Sequence, residues 1–265
     1  MANGIASGYR LFDTAQRYEN EEGVGKALRT AFSSGAVQRD EVFVTTKVWC
    51  DNMGADKTAN SVRKSAKALG LDMIDLVLIH WPGQFRRRGE GDADTANREL
   101  RKSTWEALEG LQREGLCARI GVANYSERHL KELLAHAQMK PAVNQFEVHP
   151  YNTREALVEL CTSSGIQVNS YCPLGGKGNK GQVTDLLLGD STLKTISRAY
   201  GKTPAQAILR WHLQRGLVPI PKASSLAHLQ ENIDVFDFEL TAKEMKTISA
   251  LNRDQFALFD ADALA

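Results

Sequence analysis

Short apolar runs alternate with amphipathic stretches along most of the 265-residue chain. Several of the short runs are apolar on both faces, which is typical of parallel strands covered by helices. Between them, apolar positions recur at helical spacing, as in residues 58–69. The pattern therefore predicts an α/β fold with a parallel sheet. The predicted strands are residues 9–12, 42–46, 75–79, 120–123, 142–146, 166–170 and 217–220.

Residues that favour helix ends mark the boundaries of the predicted helices. Serine or threonine three residues before glutamate forms a capping box, proline is favoured at the first helical position, and glycine favours a C-terminal stop. These signals predict capping boxes at Ser103 with Glu106 and at Thr241 with Glu244, helix starts at Ser126 and at Thr203 with Pro204, and a helix end at Gly70.

Two parallel architectures fit this order of elements, a doubly wound sheet and a closed (β/α) barrel. The length suits a single barrel of about 250 residues, although such a barrel needs eight strands. We expect one domain over residues 1–265, with a mobile loop at about residues 83–102 and a C-terminal tail at about residues 252–265.

Charge and composition favour small-molecule partners. The 33 basic and 32 acidic residues give a net charge of +1, so the balance does not favour nucleic acid or a membrane surface. The four cysteines form no C-x-x-C pair, the N-terminus has no basic region followed by an apolar one, and no apolar run approaches a membrane span. We expect a monomeric, cytoplasmic protein with reduced thiols.

Polar side chains stand at the ends of successive predicted strands. Loops that leave the carboxyl ends of parallel strands converge at one mouth, so these side chains should gather there. Packing alone does not explain polar groups at so many strand ends. The residues are Asp13, Lys47, His80, Asn124, Gln145 and Tyr171, with Tyr18 in the first loop.

Four of these residues, Asp13, Tyr18, Lys47 and His80, suggest proton chemistry. An ammonium close to a phenol favours the phenolate, so Lys47 can activate Tyr18 while Asp13 keeps Lys47 charged and in place. His80 would orient an oxygen between itself and the phenol. A positioned acid of this kind typically contributes about 10²- to 10⁴-fold to a rate.

These residues also lie in motifs that resemble the aldo-keto reductase family, including its aldose reductase, aldehyde reductase and prostaglandin F synthase members. The resemblance spans nearly the whole chain, and chance matching at so many ordered positions is implausible. The matching residues are Gly8, Tyr9, Arg10, Asp13, Thr14, Ala15, Glu21, Val24 and Gly25, then Lys47, His80-Trp81-Pro82, residues 121–125, Asn144-Gln145, residues 171–175, residues 220–222 and Glu231-Asn232.

The resemblance implies a (β/α)8 TIM barrel that reduces aldehydes and ketones to alcohols with NADPH. By family roles, Tyr18 is the proton donor, Lys47 and Asp13 tune it, and His80 positions the carbonyl group. No metal is implied. The implied cofactor-binding residues are Asn124, Gln145, Tyr171, Cys172, Leu174, Lys222, Ser224, His228, Glu231 and Asn232, and the implied walls of the substrate pocket are Trp49 and Trp81.

The chain departs from the family at several cofactor positions. The family usually has serine at Ala123 and Cys172, serine or threonine at Ala223, and arginine at His228. Arginine holds a 2′-phosphate with an always-charged fork, which neutral histidine cannot supply. The preference for NADPH is therefore weakened and NADH is possible, although Lys222 keeps NADPH as the expected cofactor.

The start of the chain is a further departure. Family members carry an N-terminal hairpin, the first barrel strand and most of the first helix before the position of Gly8, and seven residues precede it here. A barrel without one strand has two unpaired edges. We therefore hypothesise that this form is poorly stable or inactive, and normal turnover would refute that.

Three other interpretations compete with reduction. Residues 176–181 match the G-x-G-x-x-G motif of a Rossmann dinucleotide-binding site. They lack the acidic residue that such a site has about 20 positions further on, so a loop over the cofactor is the better interpretation. Lys47 or Lys222 could form a Schiff base, although that leaves the other strand-end residues unexplained. The third is a non-catalytic nucleotide-binding barrel or an inactive truncated isoform.

Overall fold

The computed structural model describes residues 1–84, 93–176 and 183–258, which form two compact units. The first unit comprises residues 1–144 and the second begins at Gln145. Strand β5 (Val143–Glu147) therefore starts in the first unit and ends in the second. Each predicted strand has a counterpart within two or three residues of the predicted bounds.

The first unit alternates strands and helices. Its strands are β1 (Leu11–Asp13), β2 (Phe43–Val48), β3 (Ile74–Ile79) and β4 (Cys117–Ala123), its helices are α1 (Ala2–Ala6), α2 (Glu21–Ser33), α3 (Ala55–Leu69), α4 (Ala93–Arg113) and α5 (Glu127–Leu134), and its 3₁₀ turns are Gln16–Tyr18, Arg39–Glu41 and Cys50–Asn52.

Strands β1 to β4 pair in parallel in chain order, so their carboxyl ends lie at the same edge. Asp13 pairs with Thr45, and Val48 pairs with Ile79. Ile79 in turn pairs with Val122. This register brings the ends of four strands to one level, as the sequence pattern predicts.

Both faces of β2 and β3 are almost entirely buried, which explains their continuous apolar sequence, whereas β1 is partly buried. One cluster joins Val44, Val77 and Ile79 to helix residues that include Leu28 and Trp105. A second cluster contains Leu76, Leu78, Ala123 and Val143. Burying one such aliphatic side chain stabilises a fold by roughly 1.5–3 kcal/mol.

Two glycines shape the helices of this unit. One allows two helices to approach closely, and the other ends a helix. A Cβ on Gly25 would lie 2.5 Å from the carbonyl oxygens of Ala68 and Leu69, so only glycine lets α2 approach the end of α3. Gly70 has φ of 67° and ends α3 in the left-handed region, as predicted.

The second unit contains the remaining elements. Two of its helices begin at the predicted capping residues, with Thr203 and Thr241 each accepting a backbone N–H bond. The strands are β6 (Gln167–Tyr171) and β7 (Val218–Pro219), which pair in parallel, and the helices are α6 (Glu155–Ser163), α7 (Val183–Gly189), α8 (Ser191–Ala199), α9 (Pro204–Gln214), α10 (Leu226–Ile233) and α11 (Ala242–Ser249).

The predicted capping box at Ser103 with Glu106 is wrong. Helix α4 begins at Ala93, so Ser103 lies inside it and its hydroxyl donates to the Glu99 carbonyl oxygen at 2.9 Å. A mid-helix serine often makes this bond to the preceding turn, and its sequence pattern resembles that of a cap. Ten residues of the predicted loop at 83–102 therefore belong to α4, while residues 85–92 lie outside the described residues.

Candidate active site

The ends of β1 and β2 bring a buried lysine to an accessible tyrosine. Lys47 is 1% exposed, forms an ion pair with the Asp13 carboxylate, and donates to the Thr14 carbonyl oxygen at 3.0 Å. The Lys47 Nζ atom also lies 3.4 Å from the Tyr18 hydroxyl. A buried ammonium is stable only when it is paired and hydrogen-bonded, and these contacts fix its charge beside the phenol.

Tyr18 has the exposure that a reacting group needs. It ends the 3₁₀ turn Gln16–Tyr18, and 48% of its surface is exposed. The Lys47 Nζ atom lies 4.9 Å from the centre of its ring. The hydroxyl therefore has a fixed cation on the protein side, while the residue remains open to solvent.

His80 follows β3 and completes the group of four. Its ring centre lies 5.8 Å from that of Tyr18 and 5.2 Å from that of Trp49, edge to face in both cases. Burial, reinforced by the charge of Lys47, lowers the pKa of His80 to about 3. The imidazole is therefore neutral near pH 7 and has one N–H group to donate.

Three of the predicted binding residues of this unit lie close to His80. Asn124 follows β4 with φ of 61°, and its Nδ2 group donates to the His80 carbonyl oxygen at 2.8 Å. Trp49 follows β2, and Trp81 follows His80 directly. The structure thus brings seven predicted site residues of the first unit to one edge of its strands.

Gln16 supports this edge and was missed in the sequence analysis. Its Oε1 atom accepts the Trp49 backbone N–H at 3.0 Å and the Asn52 side chain at 2.8 Å, while its Nε2 group donates to Ser65 at 3.2 Å. Gln16 therefore ties the turn that carries Tyr18 to the segment that carries Trp49. A glutamine in a polar turn gives no distinguishing signal in the sequence.

Arg101 on α4 supports the segment after His80 and was also missed. Its side chain is 2% exposed and donates through Nε and Nη2 to the Glu132 carboxylate, at 2.9 Å in each case. Its Nη1 group donates to the Pro82 carbonyl oxygen at 3.0 Å. A bidentate charged pair has a fixed geometry, so Arg101 holds the chain just beyond Trp81 in place.

In the second unit, several candidate residues lie at or near the end of β6. Tyr171 ends this strand, and Cys172 follows with φ of 47°. Burial, with a smaller effect of the Glu147 charge, raises the pKa of the Cys172 thiol to about 12, so the thiol is protonated at neutral pH. Leu174 lies two residues further on, and Gln145 on β5 is 2% exposed.

The other predicted cofactor residues of this unit lie around α10. Lys222, Ser224 and His228 are exposed near its start, whereas Asn232 is 8% exposed. Glu231 accepts a hydrogen bond from the Thr203 hydroxyl at 2.6 Å. Exposed polar groups therefore cluster at the positive end of this helix.

Glu147 holds the C-terminal segment of the second unit, a contact that no pattern in the sequence indicates. Its buried carboxylate accepts the backbone N–H groups of Ala257 at 2.6 Å and Leu258 at 3.0 Å. The fully buried His149 lies 3.1 Å from the same carboxylate. Of the G-x-G-x-x-G stretch, residues 177–181 lie outside the described residues.

The ends of these parallel strands carry a buried lysine–carboxylate pair, an accessible tyrosine and a neutral histidine. This arrangement is typical of one class of protein, the α/β enzymes with acid–base chemistry at their strand ends. The sequence profile of the Aldo/keto reductase family matches residues 2–253. The chain therefore belongs to this family.

Individual relatives agree with this assignment. The chain is 42% identical over 251 residues to glyoxal reductase of Bacillus subtilis (strain 168), which covers 95% of this chain and 82% of that protein. It is 39% identical to 9,11-endoperoxide prostaglandin H2 reductase of Trypanosoma cruzi (strain CL Brener), with 95% and 81% covered. The solved structure of Bombyx mori aldo-keto reductase in complex with NADP has a TM-score of 0.89 at 36% identity, with 98% and 84% covered.

The predicted family, its (β/α)8 barrel fold and an oxidoreductase function are confirmed by these similarities. They also decide between the two parallel architectures that the sequence pattern left open. In the described residues, no helix is both long and apolar enough to cross a membrane.

Proposed function

We propose that this enzyme reduces aldehydes and ketones to alcohols with NADPH and that Tyr18 donates the proton. The observation that carries the proposal is the buried, paired Lys47, whose Nζ atom lies 3.4 Å from the hydroxyl of an accessible tyrosine. An adjacent ammonium stabilises the phenolate that remains after the proton has left. Asp13 acts through Lys47 by fixing the position of the ammonium.

His80 positions the substrate in this mechanism. Since the imidazole is neutral, it can donate one N–H bond to a carbonyl oxygen that also accepts from Tyr18. Two donors on one oxygen polarise the carbonyl group and stabilise the negative charge that develops on it. Trp49, which packs against His80, and Trp81 would form apolar walls around the rest of the substrate.

The residues around α10 fit the phosphate end of a dinucleotide. Lys222, Ser224 and His228 are exposed beside the first turn of the helix, where backbone N–H groups and the helix dipole favour an anion. Bound NADPH would supply the hydride. By family position, Asn124, Gln145 and Tyr171 would hold the nicotinamide, Cys172 and Leu174 the pyrophosphate region, and Lys222, Ser224, His228, Glu231 and Asn232 the adenosine end.

The exposed His228 makes the preference for NADPH testable. Arginine is the usual family residue there, and its always-charged fork grips phosphate better than an imidazole does. We therefore expect His228→Arg to raise the ratio of kcat/KM for NADPH over NADH by about tenfold, the equivalent of about 1.4 kcal/mol. An unchanged ratio would show that His228 does not contact the 2′-phosphate.

The test of the function is oxidation of NADPH, followed at 340 nm, with 4-nitrobenzaldehyde and with glyoxal. Glyoxal is included because of the similarity to the Bacillus subtilis glyoxal reductase. Turnover by wild type would support the proposed function and refute the hypothesis of an inactive form, and Tyr18→Phe should then lose at least about 10²-fold in kcat because the proton donor is gone. Binding of NADPH without turnover by folded wild type would instead support a nucleotide-binding barrel without catalysis.

The proposal extends to a monomeric, cytoplasmic enzyme with one barrel domain and a C-terminal tail from about residue 252. Light scattering behind a gel-filtration column measures the mass in solution directly. A mass near 29.3 kDa is expected for the monomer. Twice that mass would contradict the monomer without affecting the proposed chemistry.

A further inference from the structure

Arg17 places a positive charge next to the proposed carbonyl site. It lies between Gln16 and Tyr18 in the 3₁₀ turn, and its guanidinium carbon lies 5.5 Å from the centre of the Trp49 ring. Trp49 in turn contacts His80, with 5.2 Å between the ring centres. A single aromatic ring therefore separates this cation from the imidazole that is proposed to hold the carbonyl oxygen.

The charge of Arg17 is weakly compensated, in contrast to that of Lys47. Its partner in the described part of the chain is Glu19, at 3.6 Å, and the two side chains are 58% and 81% exposed. Ion pairs this exposed contribute little, because water screens both charges. The guanidinium can therefore exchange this contact for an external anion at small cost.

The cation–π contact with Trp49 favours one location of the guanidinium. A cation over an indole ring is attracted by the ring's quadrupole, and the planar guanidinium can still donate from its edge. A carboxylate matches two parallel N–H donors of such an edge. The turn thus presents, in adjacent residues, the proposed proton donor Tyr18 and a fork suited to carboxylate.

We propose that Arg17 binds an anionic group on the substrate and that the preferred substrates are carbonyl compounds that carry a carboxylate remote from the carbonyl. This inference rests on the proposed function, because it assumes that the carbonyl oxygen lies between Tyr18 and His80. In an aromatic or short aliphatic aldehyde acid, the ring or chain holds the carboxylate away from the carbonyl group. A neutral aldehyde of the same shape leaves Arg17 in its weak pair with Glu19.

The experiment compares 4-carboxybenzaldehyde with 4-nitrobenzaldehyde, whose nitro group has the shape of a carboxylate without its charge. The measured quantity is the ratio of the two kcat/KM values, for wild type and for Arg17→Gln. We expect the substitution to lower the carboxylate-to-nitro ratio by about three- to tenfold, the effect of one partly desolvated ion pair. The ratio cancels any general effect of the substitution on catalysis.

Two further variants and salt sharpen the comparison. Arg17→Lys keeps the charge but not the fork, so it should retain part of the carboxylate preference. Glu19→Gln removes the competing carboxylate and should raise the preference. In wild type, 1 M NaCl should shrink the ratio, since salt screens exposed charges. A ratio that is unchanged in Arg17→Gln would overturn the proposal.

A binding measurement separates this proposal from the proposed function. Isothermal titration calorimetry of 4-carboxybenzyl alcohol and 4-nitrobenzyl alcohol into the enzyme with NADPH yields the same ratio from dissociation constants, without hydride transfer. Absence of turnover by wild type would refute the proposed function alone. Equal binding ratios for wild type and Arg17→Gln would refute the role of Arg17 alone.

Discussion

Replacing Lys47 with methionine should slow hydride transfer without removing the proton donor. Methionine keeps most of the side-chain volume but lacks the ammonium that lies 3.4 Å from the Tyr18 hydroxyl. The phenolate that forms when the proton leaves would then have no fixed cation beside it. Since the reacting groups themselves remain, the effect should come from electrostatics alone.

The structure gives the size of the effect. Unit charges 3.4 Å apart interact by about 5 kcal/mol at an effective dielectric of about 20. Tyr18 is 48% exposed, so water screens part of this energy, and we take about half of it as effective. A loss of about 2.5 kcal/mol corresponds to about a 70-fold lower rate.

The assay is a double-mutant cycle on the single-turnover rate of NADPH oxidation, with Lys47→Met, Tyr18→Phe and both together. Because Lys47 is proposed to act through the Tyr18 hydroxyl, adding Lys47→Met to Tyr18→Phe should lower the rate by less than about threefold, so the two effects should not add. Lys47→Met also leaves the Asp13 carboxylate without its partner. Lys47→Met with Asp13→Asn controls for that, and urea denaturation confirms that each variant is folded.

Additive losses in this cycle would refute the reasoning, because they would mean that Lys47 contributes independently of Tyr18. A rate within about threefold of wild type for Lys47→Met would refute it as well, since that is well below the loss worked from the 3.4 Å separation.

Three further predictions concern stability and the segments around the site. Burial lowers the pKa of His80 to about 3, whereas a histidine in the unfolded chain titrates near 6.5. Between these pH values the protein takes up a proton when it unfolds. The free energy of unfolding should therefore fall by about 1.4 kcal/mol per pH unit from pH 6 to 4. His80→Gln should remove this contribution to the pH dependence of the unfolding free energy, which urea denaturation measures. An unaltered pH dependence would contradict a neutral buried imidazole. Arg101→Met leaves the Glu132 carboxylate without its bidentate partner and should cost about 3 kcal/mol in urea denaturation, part of which Glu132→Gln should restore in the double variant. Glu147→Gln weakens the two N–H bonds that hold the C-terminal segment, so trypsin should cleave after Arg253 faster than in wild type, and equal cleavage rates would show that other contacts hold the segment.

Local signals in the sequence predicted much of the fold. The helix start at Thr203 and the helix end at Gly70 depend on side chains and φ values within one turn of the chain, so nearby residues are sufficient to identify them. Ser103 shows the limit of this approach. Its spacing to Glu106 is that of a cap, but the helix had already begun ten residues earlier, and nothing local distinguishes the two cases.

The group of four at the strand ends was predictable because the parallel strands share one edge. Asp13, Lys47 and His80 each stand at or near a carboxyl end, and the register of the strands brings them to one level. The supporting residues were not predictable in this way. Gln16 and Glu147 contact groups that are 33 and 110 residues away in the chain, and no periodicity in the sequence encodes such pairs.

Two kinds of positively charged side chain lie near the proposed site in the first unit. One kind is buried and fixed, and the other is exposed and free to contact a substrate. Lys47 and Arg101 are almost fully buried, and each is held by a carboxylate, so their positions are fixed whatever substrate binds. Arg17 is 58% exposed and only weakly paired, so the interaction energy of its charge depends on which substrate group lies beside it. The fixed charge of Lys47 beside Tyr18 acts equally on every substrate and therefore affects the rate of proton transfer. An exposed, loosely paired charge distinguishes one substrate from another, so variation at Arg17 can change the preferred substrate while Tyr18 and its buried cation stay as they are.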